Sequence, residues 1–140
     1  MSLARYGKAA YQSVATHGGV AASDPHRLIV MLMDGALERI SAARGCIRNK
    51  AYAQKAQLIH RSVSILDELR NCLNAEAGGE LARNLDGLYD YMCRQLLLAT
   101  VQNEIKPLDE VTKLLQQIRD SWAAIPPQAR QSRPVQEAAK

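Results

Sequence analysis

Apolar residues recur at intervals of three and four along most of this chain, and polar residues fill the positions between them. An α-helix turns once every 3.6 residues, so this spacing gathers the apolar side chains on one face of a helix. The spacing predicts four helices, at about residues 25–48, 51–77, 80–103 and 107–125. The face of the fourth, for example, consists of Leu108, Val111, Leu115, Ile118, Trp122 and Ile125.

Proline and glycine residues separate the four segments. Asp24 and Pro25 form a helix start, because aspartate accepts hydrogen bonds from first-turn amides and proline suits the first helical position. Gly78-Gly79 is predicted to end the second helix, and Pro126-Pro127 the fourth. Helices of similar length joined by short turns predict an all-α fold, an antiparallel up-down four-helix bundle.

The two ends of the chain lie outside this predicted bundle. Residues 2–16 can form one more short amphipathic helix, which Gly18-Gly19 separates from the rest. The tail after Pro127 is polar and has no apolar face to bury. We therefore expect a mobile N-terminal segment at 1–22, the bundle at 23–125 and a disordered tail at 126–140.

Composition narrows the class of protein. Among the 140 residues, 47% are hydrophobic but only 4% are aromatic, so the core must be aliphatic and a β-sandwich is disfavoured. No apolar run approaches the roughly 20 residues that span a bilayer, and the N-terminus makes a poor signal peptide. The three separated cysteines, Cys46, Cys72 and Cys93, indicate free thiols in a reducing cytosol.

The sequence contains no recognisable catalytic or metal-binding motif. No Glu is followed by His three residues later, as a di-iron bundle requires, and the chain has neither a phosphate-binding loop nor a nucleophile elbow. We expect no enzyme activity, no cofactor and no metal. His60, with Arg61 beside it, leaves open a phosphorelay domain, but without the usual surrounding pattern a histidine at the edge of the core is favoured.

The net charge of +4 raises the alternative of a nucleic-acid binder. Arg27, Arg39, Arg44, Arg48 and Lys50 give the first helix a basic balance. They surround several faces of that helix and are not interleaved with aromatic residues, so a solvated surface is favoured and no nucleic-acid partner is expected.

The second and third helices have more apolar residues than one core face requires. Ile59, Val63 and Leu66 form the predicted core face of the second helix, and Leu85, Leu88 and Met92 that of the third. Beside them lie other apolar side chains: Leu58, Ile65, Leu69, Cys72, Tyr91, Leu98 and Val101. These either pack within a wide core or form a groove for an amphipathic helix of another protein, and the pattern alone leaves both open.

Several strings resemble one known family. Ala10-Tyr11-Gln12 precedes the run from Ser23 to Ala36, the third helix contains Leu88-Tyr89-Asp90-Tyr91-Met92, and Arg119 and Trp122 follow in the fourth. In this order they resemble the signature of the flagellin export chaperones, the FliS family. Met33 stands where that family usually has Tyr, which keeps the apolar volume but loses a hydroxyl.

The resemblance implies a cytosolic, ATP-independent chaperone that binds the disordered C-terminal segment of flagellin. Binding would prevent premature polymerisation and deliver flagellin to the flagellar type III export gate during flagellum assembly. In relatives the N-terminal segment covers part of the binding surface when no client is present. The expected partners are flagellin and export-gate components, without membrane insertion, and a homodimer is left open.

The resemblance and the surplus apolar residues together indicate a set of partner-binding residues. The role of removable plugs falls to the N-terminal side chains, and the client groove to those on the second and third helices: Tyr6, Tyr11, Val14, Leu58, Ile65, Leu69, Tyr91, Leu98 and Val101. The motif residues Asp34, Tyr89 and Asp90 are equally suited to holding the bundle together. Gly35 and Gly87 are expected to let helices approach closely.

Overall fold

The computed structural model describes residues 24–126. Four helices account for nearly all of them: α1 (Pro25–Arg48), α2 (Tyr52–Asn71), α3 (Ala75–Gln102) and α4 (Lys106–Ala123). This confirms the prediction of an all-α four-helix bundle. The predicted N-terminal helix and C-terminal tail lie outside the described residues.

The helices form a ring in which each one packs against two others. α1 contacts α2 and α4, and α3 also contacts α2 and α4, so α1 and α3 lie diagonally across the bundle. The core between them is aliphatic apart from a few larger side chains, and Met33 is fully buried in it. None of the four described helices is long and apolar enough to cross a membrane.

α1 begins and ends where the sequence predicts. The Asp24 carboxylate accepts a hydrogen bond from the Arg27 amide at 3.1 Å, and Pro25 occupies the first turn. After Arg48 the chain turns through Lys50, whose φ of 59° lies in the left-handed region. A turn of three residues then leads into α2.

The boundary between α2 and α3 differs from the prediction. α2 ends at Asn71, and α3 begins at Ala75, because the Asn74 side chain accepts a hydrogen bond from the Ala77 amide and caps a new helix. Gly79, with φ 55° and ψ −132°, is not helical: its kink separates the first turn of α3 from the long helix that starts at Glu80, where the sequence predicts the third helix to begin. Only glycine adopts this conformation without strain.

The two helix glycines differ in their surroundings. A Cβ on Gly35 would lie 3.3 Å from Nη1 of Arg39 on the same helix and 3.7 Å from Ile65 Cδ1 of α2, which is an ordinary contact distance, so the approach of α1 to α2 does not require glycine here. A Cβ on Gly87 would meet nothing within 4 Å among the described residues. The expectation for Gly87 is therefore wrong, because its position on α3 faces outward.

Candidate protein-binding surface

Large apolar side chains remain exposed mainly on one helix. Of the six in the described part of the chain, Met31 lies on α1 and Tyr52 on α2. The other four belong to the outward side of α3, and we call them the α3 surface: Leu88, Leu97, Leu98 and Val101. Val101 is 79% exposed and Leu97 53%. Monomeric proteins rarely leave contiguous apolar surface uncovered, so this side of α3 is the candidate binding surface.

The α3 surface reaches from the side of α4 around to the side of α2. At 100° per residue, Leu88 and Leu98 lie on either side of Tyr91, whose hydroxyl donates a hydrogen bond to Glu110 of α4 at 2.8 Å. This hydrogen bond raises the pKa of Tyr91, so the phenol stays neutral and keeps donating. Leu97 and Val101 lie on the other side of the helix, toward α2.

The core face of α3 is rotated from its predicted position. Tyr89 is fully buried, together with Met92 and Leu96, and this turns Leu88 outward to the surface. The sequence pattern does not show this, because either Leu88 or Tyr89 completes a spacing of three and four between Leu85 and Met92. Leucine is the more hydrophobic of the two and is therefore expected in the core. Burial of the larger Tyr89 removes more apolar area from water.

Two residues assigned to the flanking stripe of α2 belong to the core instead. Leu69 is 0% exposed and Cys72 is also buried, so the prediction that Leu69 lines a groove is wrong. The reason is that polar side chains occupy the middle of the buried face, namely Lys55 and Ser62. The Ser62 hydroxyl is satisfied by donating to the Leu58 carbonyl at 3.0 Å.

The remaining predicted groove residues do not form one continuous site. Leu58 and Ile65 are half-buried against the core, and Ile65 Cδ1 lies beside Gly35 of α1. Leu98 and Val101 lie on α3, which is diagonal to α1. Leu58 and Ile65 are therefore separated from the α3 surface. The predicted plug residues Tyr6, Tyr11 and Val14 lie outside the described residues.

The motif aspartates join helices by ion pairs. Asp34 of α1 accepts two hydrogen bonds from Arg119 of α4, at 2.8 and 3.2 Å. Asp90 of α3 pairs with Arg70 of α2 and with Arg94 one turn further along α3. These carboxylates thus connect neighbouring helices, as is expected of residues that hold the bundle together.

His26 and Trp122 form a second contact between α1 and α4. Their rings stack with centroids 5.0 Å apart, Trp122 Nε1 donates to the His26 carbonyl at 3.0 Å, and His26 Nε2 lies 2.7 Å from the Trp122 carbonyl. A carbonyl only accepts hydrogen bonds, so Nε2 must carry the imidazole proton. The start of α1 and the end of α4 are therefore joined by two reciprocal hydrogen bonds.

The described residues hold neither a metal-binding cluster nor an activated thiol. They contain no group of three or more potential metal ligands among His, Cys, Asp and Glu. Burial raises the pKa of the Cys72 and Cys93 thiols to about 11, with nearby Glu68 and Asp67 contributing, so neither is an activated nucleophile. His60 is exposed on α2 and not at the edge of the core.

Charge does not favour a nucleic-acid surface. Acidic and basic residues balance within residues 24–126, so the net charge of +4 comes from the segments on either side. On α1, Arg39 donates to the Gly35 carbonyl and Arg44 pairs with Asp109 of α4. Arg39 and Arg44 thus serve contacts within α1 and between helices.

Comparison with known proteins identifies the family of the chain. The family model described as "Flagellar protein FliS" matches residues 7–129. The chain is 43% identical over 115 residues to the flagellar secretion chaperone FliSB of Pseudomonas aeruginosa, covering 82% of this chain and 91% of that protein. It is 34% identical over 119 residues to the flagellar secretion chaperone FliS of Vibrio cholerae, covering 85% and 88% of the two chains.

A third relative extends the match to another genus. The flagellar secretion chaperone FliS of Salmonella typhimurium is 38% identical over 121 residues, which covers 86% of this chain and 90% of that protein. The match to the family model, at residues 7–129, spans the start of α1, where Asp24 and Pro25 lie, and the end of α4, where Trp122 lies. The chain therefore belongs to the FliS family of flagellar proteins.

Proposed function

We propose that this protein is a cytosolic flagellar secretion chaperone whose α3 surface binds the C-terminal segment of flagellin. The relatives carry the name of a secretion chaperone, in agreement with the expectation that the chain is not an enzyme. The observation that carries the proposal is the concentration of exposed Leu and Val side chains on α3. Tyr6, Tyr11 and Val14 remain proposed contacts to the client or to this surface.

The composition of the α3 surface suits a client that folds as it binds. A disordered segment loses conformational entropy when it becomes a helix, and burial of apolar area must offset this cost. Each fully buried Leu or Val side chain contributes roughly 1.5–3 kcal/mol. A helix with apolar residues at intervals of three and four can cover Leu98 and Val101 with one face while its other face stays in water.

Such binding would protect flagellin in two ways. Covering the apolar face of its C-terminal segment removes the surface through which subunits would associate too early. The bound segment also stays unfolded apart from the docked helix, which keeps the client suited to export. Delivery to components of the export gate belongs to the same proposal, and neither a nucleic acid nor membrane insertion plays a part in it.

The test is a binding experiment with charged substitutions on α3. We expect the variant carrying Leu98→Glu and Val101→Glu to bind a peptide of the flagellin C-terminal segment at least about tenfold more weakly, because a carboxylate must be desolvated in the complex. Both side chains are exposed in the free protein, so far-UV circular dichroism should stay unchanged. Isothermal titration calorimetry gives the affinity.

Met31→Glu is the matched control. Met31 is as exposed as Leu97 but lies on α1, across the bundle from α3, so its substitution should leave the affinity unchanged. Wild-type affinity in the α3 variant would contradict the proposal. So would full-strength binding of flagellin that lacks its C-terminal segment.

A further inference from the structure

A lysine lies in the core face of α2. Lys55 is only 4% exposed, and its ammonium group lies 5.2 Å from the centre of the Tyr52 ring. A buried ammonium is costly unless hydrogen bonds replace its lost water. Here Lys55 Nζ donates to the Thr100 carbonyl at 2.8 Å and to Asn103 Oδ1. The ammonium group of Lys55 thus joins α2 to the end of α3.

Both acceptors belong to the end of α3. The last carbonyls of a helix have no partner within the helix, and Thr100 is in this position. Asn103 ends α3 with a left-handed φ of 55°, and its backbone N–H donates to the Ala99 carbonyl. The cation therefore lies at the negative end of the α3 dipole, where positive charge is favoured.

The same two turns of α3 carry three of the four residues of the α3 surface. Leu97, Leu98 and Val101 lie within six residues of Asn103 and project away from the core. On the inner side of the same stretch, Lys55 donates hydrogen bonds to the backbone carbonyl of Thr100 and to the side chain of Asn103, the residue that caps the helix. Any change in where α3 ends, or in the direction of its last turns, would move these exposed side chains relative to Leu88.

Packing alone does not require the ammonium group. A methionine fills a similar volume without the cost of burying a charge, and this gain offsets much of the cost of the two hydrogen bonds that are lost. The hydrogen bonds of Lys55 are directed to one place, the last turn of α3. This separates a role in global stability from a role in local geometry.

We infer that Lys55 is a positioning residue for client binding, which holds the last turns of α3 so that Leu97, Leu98 and Val101 face the client together. This inference rests on the proposed function. It assigns to a core residue of α2 an effect on affinity that is exerted through Thr100 and Asn103.

The test compares Lys55→Met with Lys55→Arg in the full chain. We expect Lys55→Met to unfold in urea at a concentration close to that of the wild type, while the amides of residues 101–104 exchange about tenfold faster with solvent. Its affinity for the flagellin C-terminal peptide should fall about fivefold. Lys55→Arg keeps a cationic donor at this place, so its amide exchange and its affinity should both be close to those of the wild type.

A pair of double-mutant cycles shows whether the effect acts locally. Lys55→Met combined with Val101→Ala should weaken binding by less than the product of the single effects, because both act on the same contact. Combined with Leu88→Ala, three turns away, the effects should multiply. Equal behaviour in the two cycles would overturn the inference.

The result also separates the inference from the proposed function. If the wild type binds the peptide and Lys55→Met binds it equally well, Lys55 has no positioning role and the proposed function stands. A wild type that does not bind the peptide removes the proposed function, and with it the role of Lys55 in client binding. Unchanged exchange of residues 101–104 would also overturn the inference.

Discussion

The contact between α1 and α4 and the outward side of α3 use their side chains in opposite ways. Between α1 and α4, His26 and Trp122 exchange two hydrogen bonds, and Asp34 receives two more from Arg119. On α3, aliphatic side chains face water. The first region stabilises the fold, whereas in the second the apolar side chains gain stability only when another segment or a partner covers them.

This difference shows that a family signature can mark structure more than binding. The motifs at the start of α1 and the end of α4 join those two helices to each other. On α3 the motif from Leu88 to Met92 is mixed, since Tyr89 and Met92 fill the core while Leu88 is exposed. Exposure on the folded chain, and not membership of a motif, distinguishes the candidate binding residues.

The largest effect should come from breaking the α1–α4 contact. Trp122→Ala is expected to lower the free energy of unfolding by about 3 kcal/mol, because it leaves a cavity and removes the hydrogen bond to the His26 carbonyl. Urea unfolding followed by circular dichroism measures it. Affinity for the flagellin peptide should change far less than stability at temperatures where the variant is folded.

Trp122→Phe is the control for this substitution. It keeps an aromatic ring beside His26 but loses the indole N–H, so the expected loss is about 1 kcal/mol. A Trp122→Ala variant as stable as the wild type would show that the contact does not stabilise the fold. The contrast with the α3 surface would then have no energetic basis.

An alkaline loss of stability should follow from the thiols of α2 and α3. Unfolded thiols release their protons near pH 8.5, whereas burial holds the pKa of Cys72 and Cys93 at about 11. Between these values the unfolded chain binds fewer protons than the folded one, so stability falls as the pH rises from about 8.5 to 11. Urea midpoints across this range measure the slope.

Replacing both cysteines isolates this contribution. A variant with Cys72→Ala and Cys93→Ala should have a shallower fall over the same pH range, although it starts from a lower stability because alanine leaves small cavities. An identical slope in the variant and the wild type would show that other groups cause the alkaline loss. Both thiols lie on the inner sides of the helices, whereas the α3 surface lies on the outer side, so this test concerns the core alone.

The smallest effect is expected at Gly87. Gly87→Ala should raise the free energy of unfolding by up to about 1 kcal/mol, because alanine has the higher helix propensity and its Cβ meets nothing within 4 Å. Thermal unfolding measures the gain. Gly79→Ala is the opposite case, since its positive φ should make the same substitution destabilising.

Affinity adds a second readout for Gly87. A client helix that crosses α3 closely would meet the added methyl group, so weaker binding together with higher stability would place the client over Gly87. Unchanged affinity would place it nearer to Leu97 and Val101. Lower stability of Gly87→Ala would contradict the assignment of Gly87 as an open outward position.

Most of the helix boundaries could be predicted because they depend on local interactions. Asp24, Pro25 and Pro107 begin helices by rules that need only neighbouring residues. The exception is the end of α2 at Asn71, where a further turn capped by Asn74 precedes the Gly78-Gly79 pair. Two turn signals lie five residues apart there, and the sequence pattern does not decide which one ends the helix.

The candidate site was harder to predict because burial depends on how each helix is rotated against its neighbours. Periodicity places a core face only to within one residue. It also assigns every polar side chain to the exposed face, including those that are buried because they have partners on other helices. Lys55 belongs to the core because Thr100 and Asn103, more than forty residues away, accept its hydrogen bonds. A buried lysine in the apolar register of a helix was the one signal available.

The length of the α3 surface sets the length of the client helix that can cover all of it. Leu88 and Val101 are thirteen residues apart, and at 1.5 Å per residue this separation is about 20 Å along a helix that runs without a break from Glu80 to Gln102. A docked helix of about four turns has the same length. Peptides trimmed below that length should lose contact with one end at a time, so the dependence of affinity on peptide length reads out the footprint directly.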